Sequence, residues 1–336
     1  MIKYIKPVKP KDAEGLVAPV YSQIKRDFGK VVEPFLLHSP LPELLAGAWM
    51  ACRETEVVGR VPREVKEAVA AVVSKQNLCP YCVDAHTIML SAGGEGKLAE
   101  SIRNGNYREI SDPKTQAIIE WTQKAAPPKM EHANPPFTQT EASEIIGTIV
   151  YFHYINRMAN ILLTETPLPS KNPAFKSIFN HVASWMFSDA VHSPKTVGDS
   201  LQFLPETKLP TDLGWAAPAE NVAGAFARFS KAIEIDGEYA LPIEVRTLAQ
   251  REIYKLIGEA QAPADQIRQL TAELNDPALE AAAQLTLLAA LAPGMVDEKT
   301  ISMYRQHYSE DTKLLGALAW ASFTAARKIG LEISKP

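Results

Sequence analysis

Two thiols and an imidazole stand within eight residues at Cys79, Cys82 and His86, in the stretch Asn77-Leu78-Cys79-Pro80-Tyr81-Cys82-Val83-Asp84-Ala85-His86. Proline favours the first position of a helix and pushes the residue before it out of helical geometry, so Pro80 predicts a helix start with Cys79 as its cap. Cys82 then lies in the first turn. His86, four residues on, shares its face, as Cys79 does at a spacing of three. A thiolate, not a thiol, attacks peroxides and disulfides, and an ordinary cysteine with a pKa of about 8.5 is mostly protonated at neutral pH. The positive end of the helix dipole and a base one turn away both favour ionisation at Cys82. A nearby second thiol can then close a disulfide onto the oxidised sulfur, which stops oxidation at the reversible sulfenic step.

The surrounding segments supply the scaffold. Ala13 to Phe28 is amphipathic, and Leu41 to Val57 carries apolar residues at helical spacing and is expected to be one buried helix broken at Gly59. Val61-Pro62 opens the next helix, on which Val65, Ala68, Val69, Val72 and Val73 form one apolar stripe. Glu67 lies off that stripe beside Ala70, Ala71 and Ser74, a small-residue face that lets another helix approach closely. Gly93-Gly94 ends the cysteine helix. Asp112-Pro113 starts a helix that stops before Pro127-Pro128, and Thr140 to Leu163 is a long apolar helix carrying His153 and Arg157.

From Thr166 to Pro218 prolines punctuate the chain around one short helix, Ala174 to Phe187, and beyond it the first half is echoed. Leu45-Ala46-Gly47-Ala48-Trp49 answers to Val222-Ala223-Gly224-Ala225-Phe226, Val61-Pro62 to Leu241-Pro242, Asp112-Pro113 to Asp276-Pro277, and the Arg157 helix to the Arg327 helix. Pro62 to Asp112 spans 50 residues and Pro242 to Asp276 spans 34, so the second copy is shorter by 16, and the missing piece is the cysteine helix. The expected organisation is a redox-active helical domain at 1–165, a connecting segment at 166–217 and a degenerate repeat at 218–336 without the motif. With no sustained period-two alternation, the expected fold is all-α, its two similar domains packed as an intrachain pseudo-dimer.

At 336 residues with 46% hydrophobic composition, the chain can bury a core in each domain. A net charge of −4 and the lack of a polybasic run argue against nucleic acid and anionic lipid as partners. The apolar run from Ile145 to Leu163 is interrupted by His153, Asn156, Arg157 and Asn160, which argues against a membrane span, and no basic leader opens the chain, so a cytoplasmic location is expected. Three cysteines, two of them in Cys-x-x-Cys, point to redox or metal chemistry rather than to a disulfide framework.

Glu67 followed by Cys79, Cys82 and His86, preceded by Val61-Pro62-Arg63-Glu64-Val65-Lys66 and followed by Gly93-Gly94, resembles the alkyl hydroperoxidase D branch of the carboxymuconolactone decarboxylase-like superfamily. The resemblance implies an all-helical fold and a thiol peroxidase in which Cys82 attacks the peroxide, Cys79 is the resolving and more exposed thiol, His86 the base, and Glu67 the group that orients His86 or relays protons to it. It implies no bound cofactor, an external thiol or dithiol reductant carried by a thiol- or lipoyl-bearing partner protein, and a homo-oligomer. From the residues alone, the alternative for Glu67 is a surface or helix-internal ion pair with Arg63 four residues earlier. A general thiol-disulfide oxidoreductase is the nearest alternative. Cys79-Pro80-Tyr81-Cys82 also resembles the glutaredoxin tetrapeptide, but that fold needs a strand before the motif where this chain has a helical pattern. Zinc held by Cys79, Cys82 and His86, with Glu67 or His153 as a fourth ligand, suits the donor types but lacks a second clean ligand pair. His153 is expected to be a core histidine with a satisfied hydrogen bond, and Cys52 a buried, unreactive thiol.

Overall fold

A computed structural model describes residues 1–127, 130, 134–164, 193–257 and 264–335. The fold is all-α: among these residues no strand forms, and one isolated antiparallel bridge joins Ile2 to Leu163. No helix among them is long and apolar enough to cross a membrane.

Eight helices span the first half: α1 (Val17–Phe28), the single turn α2 (Glu33–Leu36), α3 (Pro42–Cys52), α4 (Arg63–Gln76), α5 (Pro80–Ala92), α6 (Gly96–Asn104), α7 (Pro113–Lys124) and α8 (Gln139–Leu162). Their ends follow local chemistry. Asp112 accepts from the Thr115 backbone N–H to cap α7, and Thr138 and Glu141 form a reciprocal capping box at α8. Cys79 is the N-cap of α5 and Pro80 its first residue, as the sequence predicts, and Gly93 is its C-cap.

The stretch expected as one helix from Leu41 to Val57 is interrupted. After α3 the chain makes a single π turn, Arg53–Val57, closed by the Val58 N–H on the Arg53 carbonyl at 3.0 Å. Four successive polar residues, Arg53 to Glu56, are all buried there. Each needs its own partner, and the wider turn distributes them. Arg53 binds Asp27 and the Thr196 carbonyl, Thr55 donates back to the Ala51 carbonyl, and Glu54 accepts from Ser200 Oγ, the Gly198 N–H and Asn221 Nδ2.

Two glycines permit this turn. Gly59 stands at φ +123°, and a Cβ there would come within 2.3 Å of a Glu144 oxygen. That carboxylate accepts from the Arg60 and Val61 N–H groups at 2.7 and 3.0 Å and from the buried Lys66 ammonium at 3.0 Å. Gly147 lets α8 approach, because a Cβ there would lie 2.5 Å from Thr55 Cγ2. Gly59→Ala is therefore expected to cost about 2 kcal/mol or more. An unchanged urea midpoint would show instead that the turn yields freely.

The second half contains α9 (Glu220–Ala240), α10 (Ile243–Leu256), α11 (Ala264–Ala272), α12 (Pro277–Leu291), α13 (Glu298–Arg305) and α14 (Asp311–Ile333). The long helices α8 and α14 pack on each other, and α9 bridges α3 and α14, so both halves share one apolar core. Between the helices that begin at Arg63 and Pro113 the first half places α5 and α6; between those that begin at Ile243 and Pro277 the described residues hold only α11. The expected short helix from Ala174 to Phe187 lies outside the described residues. The described part of the connecting segment docks at its end: Leu213, Trp215 and Ala216 are buried, and the Trp215 carbonyl accepts from Ser143 Oγ on α8.

Candidate active site

The site forms where α4 turns into α5. Leu78 takes the corner at φ +50° with its side chain 73% exposed, and the Cys79 N–H returns to the Ser74 carbonyl at 2.9 Å. Turning Leu78 outward turns Cys79 inward. The two thiols are buried nearly alike, Cys79 1% and Cys82 3% exposed, which corrects the expectation that Cys79 is the more accessible. Tyr81, between them, is also buried, its hydroxyl donating to Glu33 on α2 at 2.9 Å.

The sulfurs of Cys79 and Cys82 share a hydrogen bond at 2.9 Å, and both thiols are free. Asn156 on α8 faces them, and its orientation is fixed by its neighbours. Ser74 Oγ donates to the Ala70 carbonyl at 2.7 Å and can only accept from Asn156 Nδ2 at 3.1 Å, while Asn156 Oδ1 accepts from Asn77 Nδ2 at 2.9 Å. The hydrogen bond with Cys82 holds the Cys79 thiol below its ordinary value; burial opposes this, and the Cys82 N–H, His86 and Asn156 assist. Cys82 moves the opposite way, pushed well above its ordinary value by burial and then by the ionised Cys79 beside it. Of the two, Cys79 is thus the thiol that ionises more readily, where helix position and His86 alone predicted Cys82.

His86 is the hub of the remaining groups. Its Nδ1 lies 2.7 Å from Glu67 Oε2 and 3.1 Å from Glu56 Oε1, and its ring meets Phe152 edge-on at 4.6 Å between centroids. Glu67 is only 2% exposed, and its other oxygen accepts from Arg63 Nε at 3.1 Å. It therefore makes both the Arg63 pair and the His86 contact, in the interior and not on a surface. Burial opposes charge on the imidazole, but the Glu56 carboxylate by charge and hydrogen bond, and Glu67 likewise, raise its pKa to about 10. Burial likewise opposes charge on Glu67, but His86 and Arg63 hold this carboxyl below its ordinary value; Glu56 is raised by burial and by the Glu67 charge. At neutral pH His86 is therefore an imidazolium, an acid that holds a proton, where the spacing alone cast it as a base.

Glu56 was not among the residues the sequence singled out. The available signal was the polar run Arg53-Glu54-Thr55-Glu56 closing an otherwise apolar helix, a pattern that needs buried partners wherever it packs inside. Among the described residues, Glu56, Glu67 and His86 are the one group of donor atoms close enough to share an ion; Cys79, Cys82 and His86 do not assemble as a ligand set. Two carboxylates are balanced here by His86 and Arg63. Cys52 is buried as expected, its thiol donating to Glu56 Oε2 at 3.2 Å. His153 is buried too, but its Nδ1 has no hydrogen-bond partner among the described residues, so the expected satisfied bond is not made there. A helix, α4, precedes the cysteine motif where a glutaredoxin would need a strand.

No protein-family model matches the chain. It is 39% identical, over 334 residues, to an alkyl hydroperoxide reductase (Rv2159c) of Mycobacterium tuberculosis, the alignment covering 99% of this chain and 95% of the relative.

Proposed function

Because the chain belongs to the alkyl hydroperoxidase D-like family, we propose that it is a thiol-dependent peroxidase in which Cys82 attacks the hydroperoxide and Cys79 resolves the product. The observation that carries this reading is the free dithiol at 2.9 Å, buried beside an imidazolium held by two carboxylates.

In the proposed reaction the pair carries one negative charge, and with its proton on Cys79, across the sulfur–sulfur hydrogen bond, the thiolate is Cys82. That sulfur attacks the outer peroxide oxygen, the O–O bond breaks, and the alkoxide leaves as an alcohol by taking a proton from His86. Nδ1 is engaged by its hydrogen bond to Glu67, so Nε2 is the nitrogen that would deliver it. Glu67 keeps the ring oriented. The Cys79 thiol then attacks the sulfenic sulfur, water leaves, and the Cys79–Cys82 disulfide forms. Turnover needs two electrons and two protons from an external thiol or dithiol, for which a thiol- or lipoyl-bearing protein is the proposed donor.

One equivalent of an alkyl hydroperoxide is expected to remove two of the three free thiols, measured after denaturation, and to yield one equivalent of alcohol. If all three thiols persist while the peroxide survives, the reading fails.

A further inference from the structure

We propose that Glu56 is a positioning residue of this site, a second carboxylate whose charge beside Nδ1, added to the hydrogen bond that Glu67 makes there, keeps a proton on His86. The inference deepens the peroxidase reading and rests on it for its catalytic meaning, though the charge relation can be measured without any peroxide.

Three observations carry it. The π turn brings Glu56 Oε1 to 3.1 Å from Nδ1, from a segment unrelated to the helix that carries Glu67. Its other oxygen accepts from the Cys52 thiol at 3.2 Å, which leaves Oε1 to face the imidazole as an ion pair without a hydrogen bond of its own. And the buried charges then pair two against two, Glu56 and Glu67 against His86 and Arg63.

Removing one negative charge from such a cluster leaves an uncompensated positive charge in the interior. Arg63 cannot release a proton under ordinary conditions, so His86 must. The other groups bearing on the cluster do not replace the lost charge. On α4, Lys66 is engaged by Glu144 and the Val58 carbonyl. On α5 and its cap stand the thiol pair Cys82 and Cys79, on α3 Cys52, and on α8 the neutral Tyr151 beside Phe152.

Glu56→Gln keeps the shape and an acceptor for the Cys52 thiol but not the charge. With the seven histidines labelled in the imidazole ring, and His86 assigned by its loss in His86→Gln, NMR titration of the free enzyme reads the effect directly. We expect the His86 midpoint to fall by ~1 pH unit or more in Glu56→Gln and to return close to wild type in Glu56→Asp. The alkaline limb of the peroxide-dependent thiol oxidation rate should shift down by the same amount. Cys52→Ala, which leaves the carboxylate but frees its outer oxygen, gives a second reading: a smaller shift in the same direction, informative even if Glu56→Gln does not fold. An unmoved His86 midpoint in the folded variants overturns the proposal, whatever the activity. A shifted midpoint in a protein that consumes no peroxide upholds the Glu56 assignment and removes the peroxidase reading alone.

Discussion

Serine in place of Cys82 is expected to lower hydroperoxide consumption by roughly a thousandfold or more, since the proposed nucleophile is replaced by a hydroxyl, which is far weaker. Serine in place of Cys79 should behave differently. Cys82 can still attack once, but no thiol stands 2.9 Å away to displace water, so the reaction should consume one equivalent and stop at sulfenic acid. Mass spectrometry after trapping with a dimedone-type reagent distinguishes the two cases: one adduct on Cys82 in Cys79→Ser and none in Cys82→Ser. The opposite pattern would assign attack to Cys79, the thiol of the pair that ionises more readily. The rate in Cys79→Ser also reports on the shared proton, because this substitution replaces the sulfur that holds it.

The second large effect concerns pH. His86 titrates near 10 in the folded chain, against about 6.5 for an unperturbed imidazole. A raised folded-state value means that the native protein binds the proton more tightly, so the stabilisation is complete below about 6.5 and is lost as pH climbs towards 10. Over that window, unfolding free energy should fall by an amount on the order of a few kcal/mol. Urea denaturation at several pH values, compared with His86→Gln, isolates this contribution. A slope over that window as steep in the variant as in wild type would place the loss on other groups.

Much of the site could be read before any coordinates. Pro80 set the start of α5, Gly93-Gly94 its end, and residues of one helix face stayed together because helical spacing is a local property. Glu67 was legible by the same logic: its small-residue neighbours placed it on a face another helix could cover. What local spacing cannot specify is the partner brought from elsewhere in the chain. Glu56 reaches His86 only through a π turn held by Asp27, Ser200, Asn221 and Glu144, residues scattered over the length of the protein. Without it, His86 looked like a base. The protonation order of the thiols was missed for a related reason. Position in the first turn favoured Cys82, but burial and the 2.9 Å contact between sulfurs outweigh the dipole. From the residue echoes and the helix order we propose that the second half arose by duplication of the first.

The bond from Asn221 to Glu54 gives the second half a hold on the chemistry of the first. Asn221 stands in the first turn of α9, with no thiol in its half of the chain, and donates to both the carboxylate and the carbonyl of Glu54. Two residues further along the same turn is Glu56. A substitution at Asn221 is therefore expected to loosen the turn that presents Glu56, although it lies in the half of the chain that holds no cysteine.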